Sequence, residues 1–298
     1  MLSRRGLLVT AGSAGLSALM PAAARALDQP TLTFLAVGDW GQPKRLAAAS
    51  RVAEAMARTA ADHSAAFVMS TGDNFYGKGV SDAFDPQWRS SFEDVYAAPS
   101  LHCPWYVVLG NHDYQGNPDA EIAYSLISDR WRMPARYYAV RQELATGLVA
   151  DFFYLDTNAF VGEGSADNPE RQLDWLTTAL GTSQAPWKIV VGHHPVFSGG
   201  RHGNTKELVT ALKPLLEQFG VRAYINGHDH DLQHIEVDGV HYLTTGAGAE
   251  ARPTGKIPQT LFAASDLGLL SVSLGAEQGT FQFLSDTNSP LYEAVVDA

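Results

Sequence analysis

Residues 67–79 read FVMSTGDNFYGKG. A strand-like run at 66–70 empties into Gly72, the carboxylate Asp73 and, three residues further on, the phenol Tyr76. Alone, a Gly-Asp pair after a strand reads as a turn or a helix N-cap. The same design recurs four more times. Gly38-Asp39-Trp40-Gly41, Gly110-Asn111-His112-Asp113, Gly192-His193 and Gly227-His228-Asp229-His230 each follow an apolar run, at 32–37, 105–109, 187–191 and 221–225. Amphipathic helical patterns at 44–61, 86–96, 118–130, 169–180 and 206–219 separate them. Strands alternating with helices predict a mixed α/β fold of packed β-sheets flanked by helices. In such sheets, ligands bind just outside the carboxyl ends of the strands. Five loops of one design, each a glycine followed by a side chain able to bind metal, therefore predict one shared site.

The remainder of the chain fits that frame. A mid-chain strand is expected at 149–155, and Pro169 suits the first turn of the helix that follows. The last third changes to strand-turn-strand. Runs at 232–237 and 240–245 flank Asp238-Gly239, a strong hairpin signal, and two more strands are expected near 268–274 and 279–284. With no fixed repeat and no long linker after residue 30, residues 27–298 are expected to form a single domain.

Residues 1–26 read differently. Ser3-Arg4-Arg5-Gly6-Leu7-Leu8 opens a charged segment, a Gly/Ala/Ser-rich apolar run follows to Met20, and Ala24-Arg25-Ala26 is a small-x-small cleavage site. The pattern is that of a removed twin-arginine export signal, too short and glycine-rich to span a membrane. It predicts a periplasmic or secreted protein, delivered folded by the twin-arginine machinery, with no stable membrane insertion of the mature chain. The full chain carries a net charge of −11, and the signal holds three of its arginines, so the mature part carries −14. That charge argues against a nucleic-acid or anionic-membrane surface. Cys103 is the only cysteine, so no intrachain disulfide can form.

The residue types of the five loops point to two metal ions. Two aspartates, an asparagine and three histidines exceed the three or four protein ligands of one catalytic zinc. Paired hydrolytic ions need a bridging ligand, which a carboxylate supplies more readily than an amide or imidazole. Asp39 or Asp73 is that bridge.

At this point the chain resembles the calcineurin-like metallophosphoesterases, and within them the small, tartrate-resistant type of purple acid phosphatase. The resemblance extends over nearly all of the mature chain, including GNHDYQGNPDAEIAYSLISDRWRMPARYY at 110–138 and GHDHDLQHI at 227–235. It implies a four-layer sandwich of two β-sheets flanked by helices. It also implies a ferric ion on Asp39, Asp73, Tyr76 and His230, with Asp73 bridging to a divalent ion (iron, zinc or manganese) on Asn111, His193 and His228. Hydrolysis of small phosphomonoesters by metal-activated hydroxide, with an acidic optimum, follows from the resemblance. His112 is then the expected proton donor to the leaving group, Asp113 its orienting partner, and His202 a second contact to phosphate or leaving group. A phosphodiesterase or nucleotide pyrophosphatase with two divalent ions is the alternative, and has no need of Tyr76. A non-catalytic phosphate- or metal-binding protein is a further one, against which His112 argues.

Two departures from the animal enzymes stand out. His194 replaces a tyrosine, and is expected to pack or support its neighbours rather than to touch substrate. The polar segment 158–171 is shorter than the loop that represses those enzymes until cleaved, and no disulfide can tie it. Asp229 is expected to hold its loop, Trp40 and Phe75 to wall the site, and Cys103 to fill buried space. His63, His102, His234 and His241 are read as surface or structural.

Overall fold

Two seven-stranded sheets face each other in the computed structural model, which describes residues 32–145, 147–165 and 167–298; the expected export signal lies outside these residues. The chain starts in the first sheet with β1 (Leu32–Val37), β2 (Phe67–Ser70), β3 (Trp105–Val107) and β4 (Trp131–Arg132). It then builds the whole second sheet from β5 (Tyr138–Ala145), β6 (Leu148–Tyr154), β7 (Trp187–Val191), β8 (Ala223–Asn226), β9 (Leu232–Val237), β10 (Val240–Thr245) and β11 (Thr260–Ala264). Finally β12 (Gly268–Leu274), β13 (Gln278–Ser285) and β14 (Pro290–Asp297) return to the first sheet. The strand orders are 14-13-12-1-2-3-4 and 11-9-10-8-7-6-5. Each sheet has a parallel heart, β1–β2–β3–β4 in one and β6–β7–β8–β10 in the other, with antiparallel strands outside it. Parallel strands are covered on both faces, and β1 accordingly buries all of its residues.

Phe34 of β1 stacks on Phe67 of β2 at 4.9 Å, and both meet Phe152 of β6 edge-on at 5.3 Å, which locks sheet to sheet. Helix α1 (Leu46–His63) covers the outer face of the first sheet through Val52, Ala53, Ala55, Met56, Thr59 and Ala60, the spacing of one helical face. The short α2 (Asp119–Tyr124) and α3 (Asn158–Val161) sit in loops. The other face belongs to α4 (Pro169–Thr182), α5 (Lys206–Ala211) and α6 (Lys213–Gln218), whose Leu176, Leu180, Leu208 and Leu216 pack with Phe153, Val190 and Tyr224. Helix, sheet, sheet, helix is the four-layer mixed α/β arrangement expected from the sequence.

The sequence reading departs from the structure where local signals compete. The helix expected at 206–219 breaks at Leu212, because Pro214 has no N–H with which to continue it. The helix expected at 86–96 is instead a wide turn at Trp88–Glu93 with Asp94 N–H bonding Arg89 O five residues back, and both Trp88 and Phe92 are buried there. The helix expected at 118–130 is regular only over Asp119–Tyr124. The edge strands β4, β5, β11 and β14 had no clear alternating pattern and were not expected. By contrast, α4 starts as anticipated, with the Asn168 side chain accepting from the Glu170 and Arg171 amides. The Asp238-Gly239 turn has φ of 51° and 80°, the left-handed pair such a hairpin needs.

Candidate metal centre

The parallel hearts of both sheets end at the same edge, and the five glycine loops meet there. Asp39 follows β1, Asp73 β2, Asn111 β3, His193 β7 and His228 β8. Glycine is needed where the loops touch. Gly72 has φ +92°, and a Cβ there would come within 2.7 Å of the His193 ring; one on Gly110 would stand 2.2 Å from the Asp73 carboxylate. Asp39, Asp73 and His228 themselves take positive φ, at 59°, 52° and 69°.

Two groups of side chains form around Asp73. On one side, the Tyr76 hydroxyl lies 2.9 Å from Asp39 Oδ1 and 2.9 Å from His230 Nε2, and His230 Nε2 is 3.3 Å from Asp39 Oδ1. On the other, His193 Nε2 lies 3.2 Å from Asn111 Oδ1, 3.1 Å from His228 Nδ1 and 3.5 Å from Asp73 Oδ1. Donor atoms of Asp39, Asp73 and His193 all lie within 4.8 Å of one another, so the two groups adjoin. Outer contacts aim the rings. His193 Nδ1 is 2.9 Å from the Thr71 carbonyl, so it carries the proton and leaves the Nε2 lone pair inward. His230 Nδ1 is likewise 3.1 Å from Glu250 Oε2.

The electrostatics fit bound cations. Asp39 and Asp73 are essentially fully buried, and among the described residues their only basic partners are histidines, never lysine or arginine. Buried carboxylates need paired charge or a metal. Burial opposes ionisation of Asp73, but His193, His112 and the His112 amide outweigh it and hold its pKa below the usual range. Burial and then the Asp39 and Asp73 charges push the Tyr76 phenol well up, so it ionises only when a cation offsets them. Burial and the surrounding imidazoles keep His228 neutral, as a ligand must be. Carboxylates, a phenol, an amide oxygen and imidazoles together form a donor set suited to two cations.

A family model described as calcineurin-like phosphoesterase matches residues 32–232. The chain is 42% identical to mouse tartrate-resistant acid phosphatase type 5 over 238 residues, 74% of this chain and 73% of the relative. It is 39% identical to purple acid phosphatase 4 of Arabidopsis thaliana, over 74% of this chain and 69% of that protein. Among solved structures, GAP50, the anchor in the inner membrane complex of Plasmodium, superposes with a TM-score of 0.82 at 26% identity, covering 90% of this chain and 89% of that one. The chain belongs to the calcineurin-like phosphoesterases. Within them it falls with the purple acid phosphatases, and it is a phosphoester hydrolase built around a dinuclear metal centre.

The remaining candidates of this phosphoesterase divide clearly. His112 sits at the mouth, one-third exposed, with Nε2 3.9 Å from Asp73 Oδ2 and its ring on Tyr76 at 4.3 Å. Gln115 Nε2 donates to His112 Nδ1 at 3.2 Å, which leaves the ring proton on Nε2, facing the site. Asp113 does not orient His112, contrary to expectation. Its carboxylate turns inward and accepts from the Gly110, Phe75 and Asn74 amides at 2.8, 2.9 and 3.1 Å. Burial and the nearby Asp73 raise it to about 7. It ties two ligand loops together. The orienting contact to His112 comes from Gln115, which carried no signal of its own.

His202 packs on His228 with ring centres 4.1 Å apart, and donates from Nδ1 to Asp229 Oδ1 at 2.8 Å. Asp229 thus aims His202 as well as holding its loop. Trp40 and Phe75 do not wall the site; both are fully buried in an aromatic cluster beneath it, where Trp40 Nε1 bonds Ser70 Oγ at 2.9 Å. Cys103 is partly rather than fully buried. Thr157, Asn74 and Glu250 escaped sequence reasoning. Glu250 alone had a signal, as the polar residue ending Gly246-Ala247-Gly248-Ala249 after β10.

His194 is buried beside the Asn111 group, and its hydrogen bonds decide its state. Thr157 Oγ1 accepts from the His193 and His194 amides at 3.2 and 3.1 Å, which fills its two lone pairs. Its own proton therefore goes to His194 Nδ1, 2.8 Å away. The ring is neutral, with Nε2–H toward Glu163 Oε2 at 3.4 Å, and burial depresses its pKa. Neither nitrogen has a free lone pair for a metal.

Proposed function

We propose that the protein hydrolyses small phosphate monoesters at acidic pH. Asp39, Asp73, Tyr76 and His230 would hold a ferric ion, and Asp73, Asn111, His193 and His228 a divalent one. The observation that carries this reading is the Tyr76 hydroxyl, 2.9 Å from both Asp39 Oδ1 and His230 Nε2. Two carboxylates and a phenol make an anionic set suited to a trivalent ion, whereas one shared carboxylate with neutral donors suits a divalent ion. When bound, the ions supply activation of water and Lewis-acid neutralisation of the phosphoryl oxygens.

The protein's own groups do the rest. His112, with its proton on Nε2, donates to the departing alkoxide. His202, aimed by Asp229, steadies the phosphate or the leaving oxygen. Asp113 and Thr157 keep the ligand loops in register through their amides, so the donors are preorganised before substrate arrives. The first 26 residues support export through the twin-arginine route to the periplasm or beyond, with residues 27–298 as one domain.

Metal analysis with a visible spectrum, paired with turnover of p-nitrophenyl phosphate and its bis-ester, tests the reading. Coloured, iron-containing protein that prefers the monoester is expected. Colourless, iron-free protein overturns the ferric assignment, and a preference for the bis-ester overturns the monoesterase one.

A further inference from the structure

The two inward-facing imidazoles are backed by partners of different charge. His193, in the Asn111 group, gives its outer N–H to a neutral carbonyl, Thr71 O, at 2.9 Å. His230, in the Tyr76 group, gives its outer N–H to a carboxylate, Glu250 Oε2, at 3.1 Å. Glu250 is held unusually well for a rim residue. Arg252 donates to Oε2 from Nε at 3.1 Å and Nη2 at 2.7 Å, while Arg45 Nη2 holds Oε1 at 3.0 Å. The backbone repeats the tie, since Arg252 N–H bonds His230 O at 2.7 Å and Gly248 N–H bonds Gly38 O at 3.1 Å. Three segments therefore meet on this carboxylate: the turn before α1, the loop after β10 and the His230 loop.

We propose that Glu250, clamped between Arg45 and Arg252, is the residue that biases the Tyr76 half of the centre toward a trivalent ion. The inference rests on the metal reading above and assigns its selectivity to a positioning residue outside the ligand set. A carboxylate sharing the Nδ1 proton leaves more electron density on Nε2, which a trivalent ion rewards more than a divalent one. The arginines serve two ends. They keep the carboxylate ionised, and they hold both of its oxygens on the outer side, so that it acts through His230 and not as a ligand. The neutral carbonyl behind His193 gives the other half no such bias.

The test loads metal-free protein with iron and zinc together, in wild type, Glu250→Gln and Glu250→Asp. Readouts are the iron-to-zinc ratio, the visible band and the reduction midpoint in a mediated titration. Glu250→Gln keeps the shape and loses the charge, so its ferric preference is expected to fall about 10–100-fold. The midpoint rises by about 59 mV for each tenfold lost in affinity for ferric over ferrous iron. Glu250→Asp, which keeps the charge, is expected to retain more of the preference. An unchanged ratio and midpoint in Glu250→Gln overturns the proposal and leaves the metal reading standing. So does equal loss of iron and zinc, the mark of a merely structural residue, or identical behaviour of the Gln and Asp variants. A wild-type protein that takes up no ferric iron overturns the metal reading itself, and this proposal with it.

Discussion

Lowering the pH from 7 to 5 is expected to cost the folded protein about 2 kcal/mol through one side chain, His234 on β9. His234 is fully buried, its Nε2 lies 2.9 Å from His241 Nδ1 on β10, and its own Nδ1 has no hydrogen-bond partner among the described residues. Burial, and then the neighbouring His241, hold its pKa at about 3, against about 6.5 for an unperturbed histidine. Between those values the unfolded chain binds a proton that the native chain refuses. Stability is therefore complete above the unperturbed value and is lost as the pH falls below it. Each unit costs about 1.4 kcal/mol, which gives about 2 kcal/mol at pH 5 and about 3 at pH 4. His241, also depressed by burial, acts in the same direction. Substituting His234→Leu removes the titration and leaves an apolar side chain among Phe262 and Tyr292, while the partly exposed His241 turns to water. The assay is urea unfolding of metal-loaded wild type and variant at pH 7, 6 and 5. Metal loss at low pH affects both proteins, so the quantity to read is the difference in their pH dependence. That difference should reach about 2 kcal/mol at pH 5. Parallel curves would refute the reasoning, because they would mean that His234 takes up its proton in the folded state without penalty.

Three further outcomes are expected. Tyr76→Phe should abolish the visible band while the divalent ion stays bound, read by absorbance and metal analysis of the same sample. His112→Ala should lower kcat for an alkyl phosphate by about 10²–10⁴-fold, and for p-nitrophenyl phosphate far less, since that leaving group needs little protonation. Equal losses on both esters would remove His112 from the proton-donor role. Thr157→Val strips partners from the His193 and His194 amides and from His194 Nδ1. At about 1–3 kcal/mol for each buried group left unpaired, it should lower the unfolding midpoint sharply, whereas Thr157→Ser should not.

The convergence of the candidate donors was legible because each of their loops is local: a strand, a glycine and a polar side chain lie within a few residues, and the parallel topology carries all five to one edge. What was not legible depends on partners far along the chain. Asp113 stands beside His112, yet its carboxylate is spent on amides near residue 74, at the end of another strand. Glu250 reaches His230 only because β9 and β10 pair and return the chain to the site. Backbone strain adds a point that pattern reading inverts. Positive φ is ordinarily the province of glycine, but three of the five strand-end side chains, Asp39, Asp73 and His228, adopt it directly after a glycine. Such conformations cost of order 1–3 kcal/mol each, and persist where the surroundings over-determine them. Here the preceding glycines are consumed by close approach, Gly38 to Thr71, Gly72 to His193 and Gly227 to Asp39, so the strain falls on the next residue in line. That next residue is the one whose side chain the site requires, and no smaller substitute can relieve it. Stability is thus surrendered at the points where two buried carboxylates and an imidazole are brought within reach of common ions, and a metal-free protein should be the less stable form for that reason.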